Sequence, residues 1–303
     1  MSAQAVLFDA PGPKARLRHR VLTGLGLLLA ASVLFLVLRK MADAQQLQGF
    51  MWTAFFEPDA WVNYLLLGLW GTIRAAALAI VLAFGFGLIL GMGRLSTHVA
   101  VRVVSGAVVE FFRAVPVLIM MIFLAGLFSA NQVFPNAYNP LAAVVVALTL
   151  YNGSVVAELV RSGVHSLPRG QAEAGLSIGL TPAQTLRAIE LPQALTAMLP
   201  ALIGQLVVAL KDTALGYQIT YLELVTWSKS LGSAYANTVP AYLFAALLFI
   251  VINYALTSLA ARVERRTRRR VGRALVAPGL QGAGIEAQLE RANRPGAVVR
   301  PPG

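Results

Sequence analysis

The sequence has no cysteine, which excludes disulfides, thiol catalysis and cysteine-based metal sites. Histidine is nearly as scarce: His19, His98 and His165 are the full set. None has a second histidine at ligand spacing, so no metal site is expected. No G-x-x-x-x-G-K-[ST] phosphate loop occurs, and none of Lys14, Lys40, Lys211 and Lys229 follows a glycine-rich loop. Charge is sparse: 13% of residues are Asp, Glu, Lys or Arg, against about 25% in a soluble domain. What fills the 303 positions instead is apolar, at 57% hydrophobic residues and a mean hydropathy of +0.69. A disordered chain is excluded and an ordinary soluble enzyme is disfavoured. The composition is that of a polytopic membrane protein, with the lipid bilayer as its solvent.

Acidic residues are the scarcer sign, 13 against 25 basic ones, for a net charge of +12. The excess is clustered. Arg262, Arg265, Arg266, Arg268, Arg269, Arg270 and Arg273 stand near one end, and Lys14, Arg16, Arg18 and Arg20 near the other. Such clusters mark nucleic-acid binding in some proteins. Here they flank apolar runs without an aromatic stacking motif, so the positive-inside rule explains them and no nucleic acid is expected.

A bilayer core takes about 20 apolar residues per helix. Suitable runs are Val21–Leu38, Leu65–Met92, Val108–Phe128, Pro140–Val160, Ala194–Leu210 and Tyr242–Ala261. The expectation is an all-α membrane protein with about six transmembrane helices. The first run has a basic left flank like a signal peptide, but Arg39-Lys40 follows it in place of a small-residue cleavage site. It reads as an uncleaved helix. Residues 41–60 are polar and aromatic, hence an exposed or interfacial loop. Lys and Arg gather in alternate connections, and that bias puts both termini in the cytoplasm of a multi-pass protein. Arg39-Lys40 is the contrary item, explained by snorkelling. Gly87 and Gly91 have the G-x-x-x-G spacing, which lets helices approach closely in lipid.

The segment from Arg161 to Pro192 is too polar to span and too patterned for a plain loop. Pro168 ends the preceding helix. Gln171–Ile178 reads as a short helix, with Ala172, Gly175, Leu176 and Gly179 on one small-residue face. Gly179 breaks it. Thr181-Pro182-Ala183-Gln184 opens a second helix, with Thr as cap, Pro in the first turn and Gln at the capping-box position. Ala183, Leu186 and Ile189 share its face. Leu191-Pro192 is expected to stop that helix and turn the chain back to the membrane. Two such helices form a rigid knob for a partner's groove. An interfacial helix lying on lipid is the bland alternative; the small faces and the charges of Glu173 and Glu190 count against it.

Glu173-Ala174-Gly175, then Gly179, then Ile189-x-Leu191-Pro192 resembles the "EAA" loop of bacterial ABC importer permeases, with complete spacing. The one departure is Gly175, where alanine is usual. Further stretches resemble the polar amino-acid branch of that family: Glu110-Phe-Phe-Arg113-Ala-Val-Pro116, Ala157-Glu158-Leu-Val-Arg161-Ser-Gly163, Pro168-Arg-Gly170-Gln171 and Leu210-Lys211-Asp212-Thr213. The likeness covers roughly Leu67 to Arg266. The segment from Val6 to Pro13 also looks like the start of an actinobacterial glutamate uptake permease, and it alone favours glutamate.

The resemblance implies a type I ABC importer permease fold and a transport subunit without catalytic residues or cofactor. It implies four kinds of partner: two ATPase subunits, a sister permease or second copy, an extracellular binding protein, and lipid. The expected organisation is a cytoplasmic segment 1–20, an additional helix 21–40, an extracellular loop 41–64, and a permease domain 65–266. That domain carries the coupling loop 161–195, and a disordered basic tail 267–303 follows. Coupling to the ATPase would fall to Glu173, Ala174, Gly175, Gly179, Ile189, Leu191 and Pro192. Glu173 has two open readings, a contact at the joint or a bond to its own helix's amides.

Charges near spans are costly and so informative. Glu110 with Arg113, and Glu158 with Arg161, stand at i, i+3 and read as structural ion pairs. Donors for an acidic solute's path are Arg74, Asn152, Gln205 and Lys211. Glu223 reads as a rim charge without a partner. Alternatives are a permease for aspartate, glutamine, arginine or histidine, or a stand-alone channel or secondary transporter. The latter calls for internal repeats or broken helices, and the halves 61–128 and 194–261 show no repeat. An intramembrane enzyme would need a Ser/His, His/Glu or paired-Asp set, which the spans lack.

Overall fold

The computed structural model describes residues 12–275. The segment Val6 to Pro11 and the tail beyond 275 lie outside the described residues. All regular structure among the described residues is helical: α1 (Pro13–Asp43), α2 (Phe50–Thr53), α3 (Pro58–Ala60), α4 (Leu66–Arg94), α5 (Val99–Ala114), α6 (Val117–Ala130), α7 (Asn139–His165), α8 (Gly170–Ser177), α9 (Pro182–Thr185), α10 (Leu191–Asp212), α11 (Leu224–Ala234) and α12 (Thr238–Leu275). Five helices are long and apolar enough to cross a membrane, and six if the bent pair α5–α6 is one span. In α1 none of the membrane-length window is buried, and Leu25, Leu28 and Phe35 stand exposed. A helix apolar all round in this way has lipid for its solvent.

The run Val108–Phe128, expected as one straight span, is corrected. It is split between α5 and α6, which meet at 98°. Pro116 has no amide to donate and crowds the residue before it; Val115 is accordingly extended (φ −80°, ψ 126°). Glu110 and Arg113 therefore sit at the end of α5, before the bend.

A second correction concerns Leu191-Pro192, which stops nothing. Helical backbone continues from Pro182 to Asp212 through a π-helical turn over Leu186–Glu190. There the Leu191 N–H donates to the Leu186 carbonyl, five residues back. Pro192 then falls in the first turn of α10, where a missing N–H costs little.

The described residues form two compact units, 12–72 with Thr220–Leu248, and Ile73–Ile219 with 249–275. In the first, residues 41–60 are not the loop their composition suggests. They wind into α2, a 3-10 turn over Ala54–Phe56, and α3. Phe55 is buried and stacks on Phe244 at 4.5 Å. Asn237 Nδ2 donates to the Met51 carbonyl at 2.8 Å.

In the second unit α7 is the spine. Ala143, Val144, Leu148, Ala157 and Val160 on it are buried, and α4 approaches through glycine. A Cβ on Gly87 would stand 2.6 Å from Val156 Cβ, and one on Gly91 would stand 3.0 Å from Val160 Cβ. Gly85 faces open space, with nothing within 4 Å of a Cβ. Gly87→Val is thus expected to lower the melting temperature of the purified protein in lipid nanodiscs, at an overpacking cost of about 1–3 kcal/mol. Gly85→Val should leave it unchanged; equal effects at both positions would refute the close-approach role.

Candidate coupling segment and charge network

The chain leaves α7 and builds a helical hairpin. Gly179 makes the turn with φ +86°, a conformation that costs glycine nothing and any β-carbon strain. Thr181 and Gln184 complete a capping box: the Gln184 N–H donates to Thr181 Oγ1 (3.3 Å) and the Thr181 N–H to Gln184 Oε1 (2.8 Å). Gln193 Nε2 donates to Gln171 Oε1 at 2.9 Å and ties α8 to the start of α10.

The expected small-residue face of α8 divides. Gly175 is buried against its own chain: a Cβ there would lie 2.6 Å from Thr185 Cγ2 and 3.0 Å from Ile189 Cδ1. Glycine in place of the usual alanine is explained by this internal contact, not by a partner's approach. Leu176 points elsewhere, 48% exposed, and Ile178 is 75% exposed. Ala174, Gly179 and Pro192 are also exposed, while Ile189 and Leu191 are half-buried. Glu173 is exposed and does not cap α8, so the local-amide reading of this residue fails.

The two i, i+3 pairs belong to one network. Arg113 Nη1 lies 3.6 Å from Glu110 Oε2, and Arg161 Nη1 lies 3.0 Å from Glu158 Oε1. Arg94, at the end of α4, joins them: it reaches Glu110 Oε1 at 3.1 Å and Glu158 Oε2 at 2.8 Å. Arg113 also reaches Glu158 Oε2 at 3.6 Å. Glu158 therefore faces three guanidinium groups, and α4, α5 and α7 are joined by charge. Arg94 is the most enclosed member, its side chain 10% exposed. Its short contact to Glu158 lacks hydrogen-bond geometry, which leaves Arg94 Nη1 and Glu158 Oε2 buried without a hydrogen bond. Sequence reasoning missed Arg94, because its partners lie 16 and 64 positions away and no local spacing announces them.

Of the four path candidates, two are brought together. Gln205 Nε2 on α10 donates to Asn152 Oδ1 on α7 at 2.6 Å, and Asn152 Nδ2 donates to the Leu148 carbonyl at 2.9 Å. Thr149 Oγ1 and Ser154 Oγ, also on α7, are buried without partners. Arg74 is half-buried on α4, its Nε buried and unbonded. Lys211 is exposed at the end of α10. Among the described residues, no hydrogen bond or ion pair joins Arg74 or Lys211 to the amide pair.

Glu223 is no rim charge. It is fully buried and caps α11: its carboxylate accepts from the Val225 N–H at 2.7 Å and the Thr226 N–H at 2.8 Å. The neighbouring backbone is pinned to α4. Tyr221 Oη donates to the Gly71 carbonyl at 2.7 Å, and the Leu224 N–H donates to Thr72 Oγ1 at 3.1 Å. Burial pushes the Glu223 carboxyl up to about 7, against the pull of its hydrogen-bond donors.

Residues 83–269 match the family described as binding-protein-dependent transport system inner membrane component. The chain is 47% identical over 223 residues to the glutamate transport system permease protein GluD of Corynebacterium glutamicum, spanning 74% of this chain and 82% of that one. It is 34% identical to the probable glutamine ABC transporter permease protein GlnP of Bacillus subtilis, spanning 64% and 89%. Among solved structures, an amino acid ABC transporter crystallised with histidines superposes with a TM-score of 0.62 at 26% identity, over 68% of this chain and 95% of that one.

Two outcomes are expected. Glu158→Gln leaves the enclosed Arg94 cation undercompensated and should destabilise the protein by about 1–3 kcal/mol. The more exposed Glu110→Gln should cost under about 1 kcal/mol. Thermal unfolding in nanodiscs orders the two, and a larger effect at Glu110 would contradict the hub at Glu158. For Glu223 the folded pKa lies above the unfolded one, so its contribution is fully present below about 4.5. It is lost as pH rises through about 7, and the upper bound is about 3 kcal/mol. Protection of the α11 amides against hydrogen exchange, corrected for intrinsic rate, should fall over that window, and Glu223→Gln should flatten the profile.

Proposed function

Since this chain belongs to the family of inner-membrane components of binding-protein-dependent transport systems, a transport component and not an enzyme, we propose that it is the permease for glutamate in an ATP-driven importer. The observation that carries the reading is the coupling hairpin. An EAA-type sequence folds onto itself through Gly175 and presents Leu176 and Ile178 outward. Relatives of this kind are permease subunits that work with ATPase subunits, and ATP hydrolysis belongs to those. The 47% identity to a glutamate permease supports the substrate.

In this reading the hairpin docks in an ATPase subunit on the cytoplasmic side, with both chain termini on that side. Closure of two ATPase subunits on ATP moves the hairpins as rigid bodies, and the spans rock between two states. Glu173, Ala174 and Gly179 stand at the joint, while Gly175, Ile189, Leu191 and Pro192 stiffen the hairpin and its root. A second permease copy or sister subunit completes the membrane pathway, and an extracellular binding protein delivers the solute. The Asn152–Gln205 pair and the unbonded Arg74 supply donors for an amino acid's carboxylates, with Lys211 at the pathway's end. Likeness to a glutamine permease keeps glutamine as the second substrate reading.

The test is uptake by the reconstituted complex of permeases, ATPase subunits and binding protein. Radiolabelled glutamate should enter with ATP, and unlabelled glutamate should compete better than glutamine, aspartate, arginine or histidine. Gly179→Asp should keep membrane insertion and permit ATP hydrolysis while reducing uptake at least about tenfold. Undiminished uptake by that variant would remove the hairpin from the coupling role, and uptake without ATPase subunits would remove the importer reading altogether.

A further inference from the structure

A cleft of about 930 Å³ opens between the coupling hairpin and the loop that joins α4 to α5. Ser96, Thr97 and His98 form one wall; Glu173, Arg187 and Glu190 form the other. His165 and Arg169, where α7 gives way to the hairpin, also line it. The volume falls within the range of about 300–1,000 Å³ typical of small-molecule sites. Every lining residue belongs to the Ile73–Ile219 unit.

The lining selects a chemical class. No aromatic ring lines the cleft, so a nucleobase has nothing to stack on. Glu173 and Glu190 oppose a phosphate. Two guanidinium groups and two carboxylates in one cleft suit a zwitterion, its carboxylates on Arg169 and Arg187 and its ammonium on the glutamates. The Nδ1–H of His165 donates to the Arg161 carbonyl at 2.8 Å. Nε2 is thereby left as an acceptor for an ammonium group.

The cleft is separate from the hairpin's outward face. Leu176 and Ile178, the exposed apolar residues expected to meet the ATPase, do not line it. Its loop wall follows directly on Arg94, which holds Glu110 and Glu158. A molecule held here touches both the coupling hairpin and the strand of chain leading from the charge network. It would favour whichever arrangement of the two it fits and resist the other.

We propose that this cleft binds a free acidic amino acid on the hairpin's side of the membrane, and that occupancy slows the ATP-driven cycle. The proposal rests on the transport reading above and adds a second, regulatory site for the transported class. Binding that ties the α4–α5 loop to the hairpin must be undone before the hairpin can move. The coupling between occupancy and cycling is of the usual allosteric size, at least about fivefold.

The test uses the full complex in proteoliposomes, with ATP supplied on the hairpin's side and L-glutamate preloaded on that same side or left out. Preloading at millimolar concentration should slow both uptake and ATP hydrolysis at least about fivefold. Thr97→Trp and His98→Trp, which fill the cleft from the loop wall, should transport normally into empty vesicles and lose the preload effect. The inference falls if preloading leaves the unaltered complex unaffected, or if the effect survives in both filled variants. It falls equally if both variants insert and fold yet cannot transport into empty vesicles, since the cleft then belongs to the ATPase joint. Should empty vesicles take up another amino acid and not glutamate, the substrate reading falls by itself. That amino acid then serves as the preload in the same comparison.

Discussion

The second unit depends on how closely other helices can approach α7. Hydrocarbon offers no hydrophobic drive between helices, so packing in a bilayer rests on shape and close contact. Alanine and valine on α7 and glycine on its neighbours supply that contact. Gly87 and Gly91 lay the backbone of α4 against Val156 and Val160. Gly163 does the same toward α10, where a Cβ would meet Met198 Cγ at 2.7 Å. These approaches set where the end of α4 lies, and so where Arg94 can reach.

From that packing the charge network follows. Arg94 stands at the last residue of α4, one turn past Gly91, and Glu158 stands between Ala157 and Val160, which the glycines contact. Ions in such places are stable only when paired, and here five charged groups share the duty. The same helix then delivers the chain to the coupling hairpin. One tightly packed helix thus positions the membrane pathway's amide pair, the charge network and the root of the hairpin in sequence along its length.

The hairpin shows how a motif's residues divide their labour. Gly179 and the Thr181–Gln184 box make the turn. Gly175 closes the two short helices on each other. Only then are Leu176 and Ile178 left to face outward. A knob of this kind transmits force because its inside is packed, and Gly175 permits the packing that a bulkier residue would prevent.

Much of this was legible in the residues themselves. Apolar runs of membrane length marked the long helices, since hydropathy is a local property, and the capping box and Gly179 turn were readable because caps are local chemistry. The EAA spacing placed the hairpin, and two i, i+3 pairs announced themselves. What escaped depended on distant partners or on local geometry that several arrangements satisfy. Pro116 bent a run that hydropathy counts as continuous, while a π-helical turn let Pro192 pass without a break. Arg94 joined both pairs across 16 and 64 positions. Glu223 became a buried cap, although its charge alone suggested a rim. Sequence alone determines which segments leave water and which turns they can make; tertiary structure decides which charges meet, because that depends on how closely helix backbones approach.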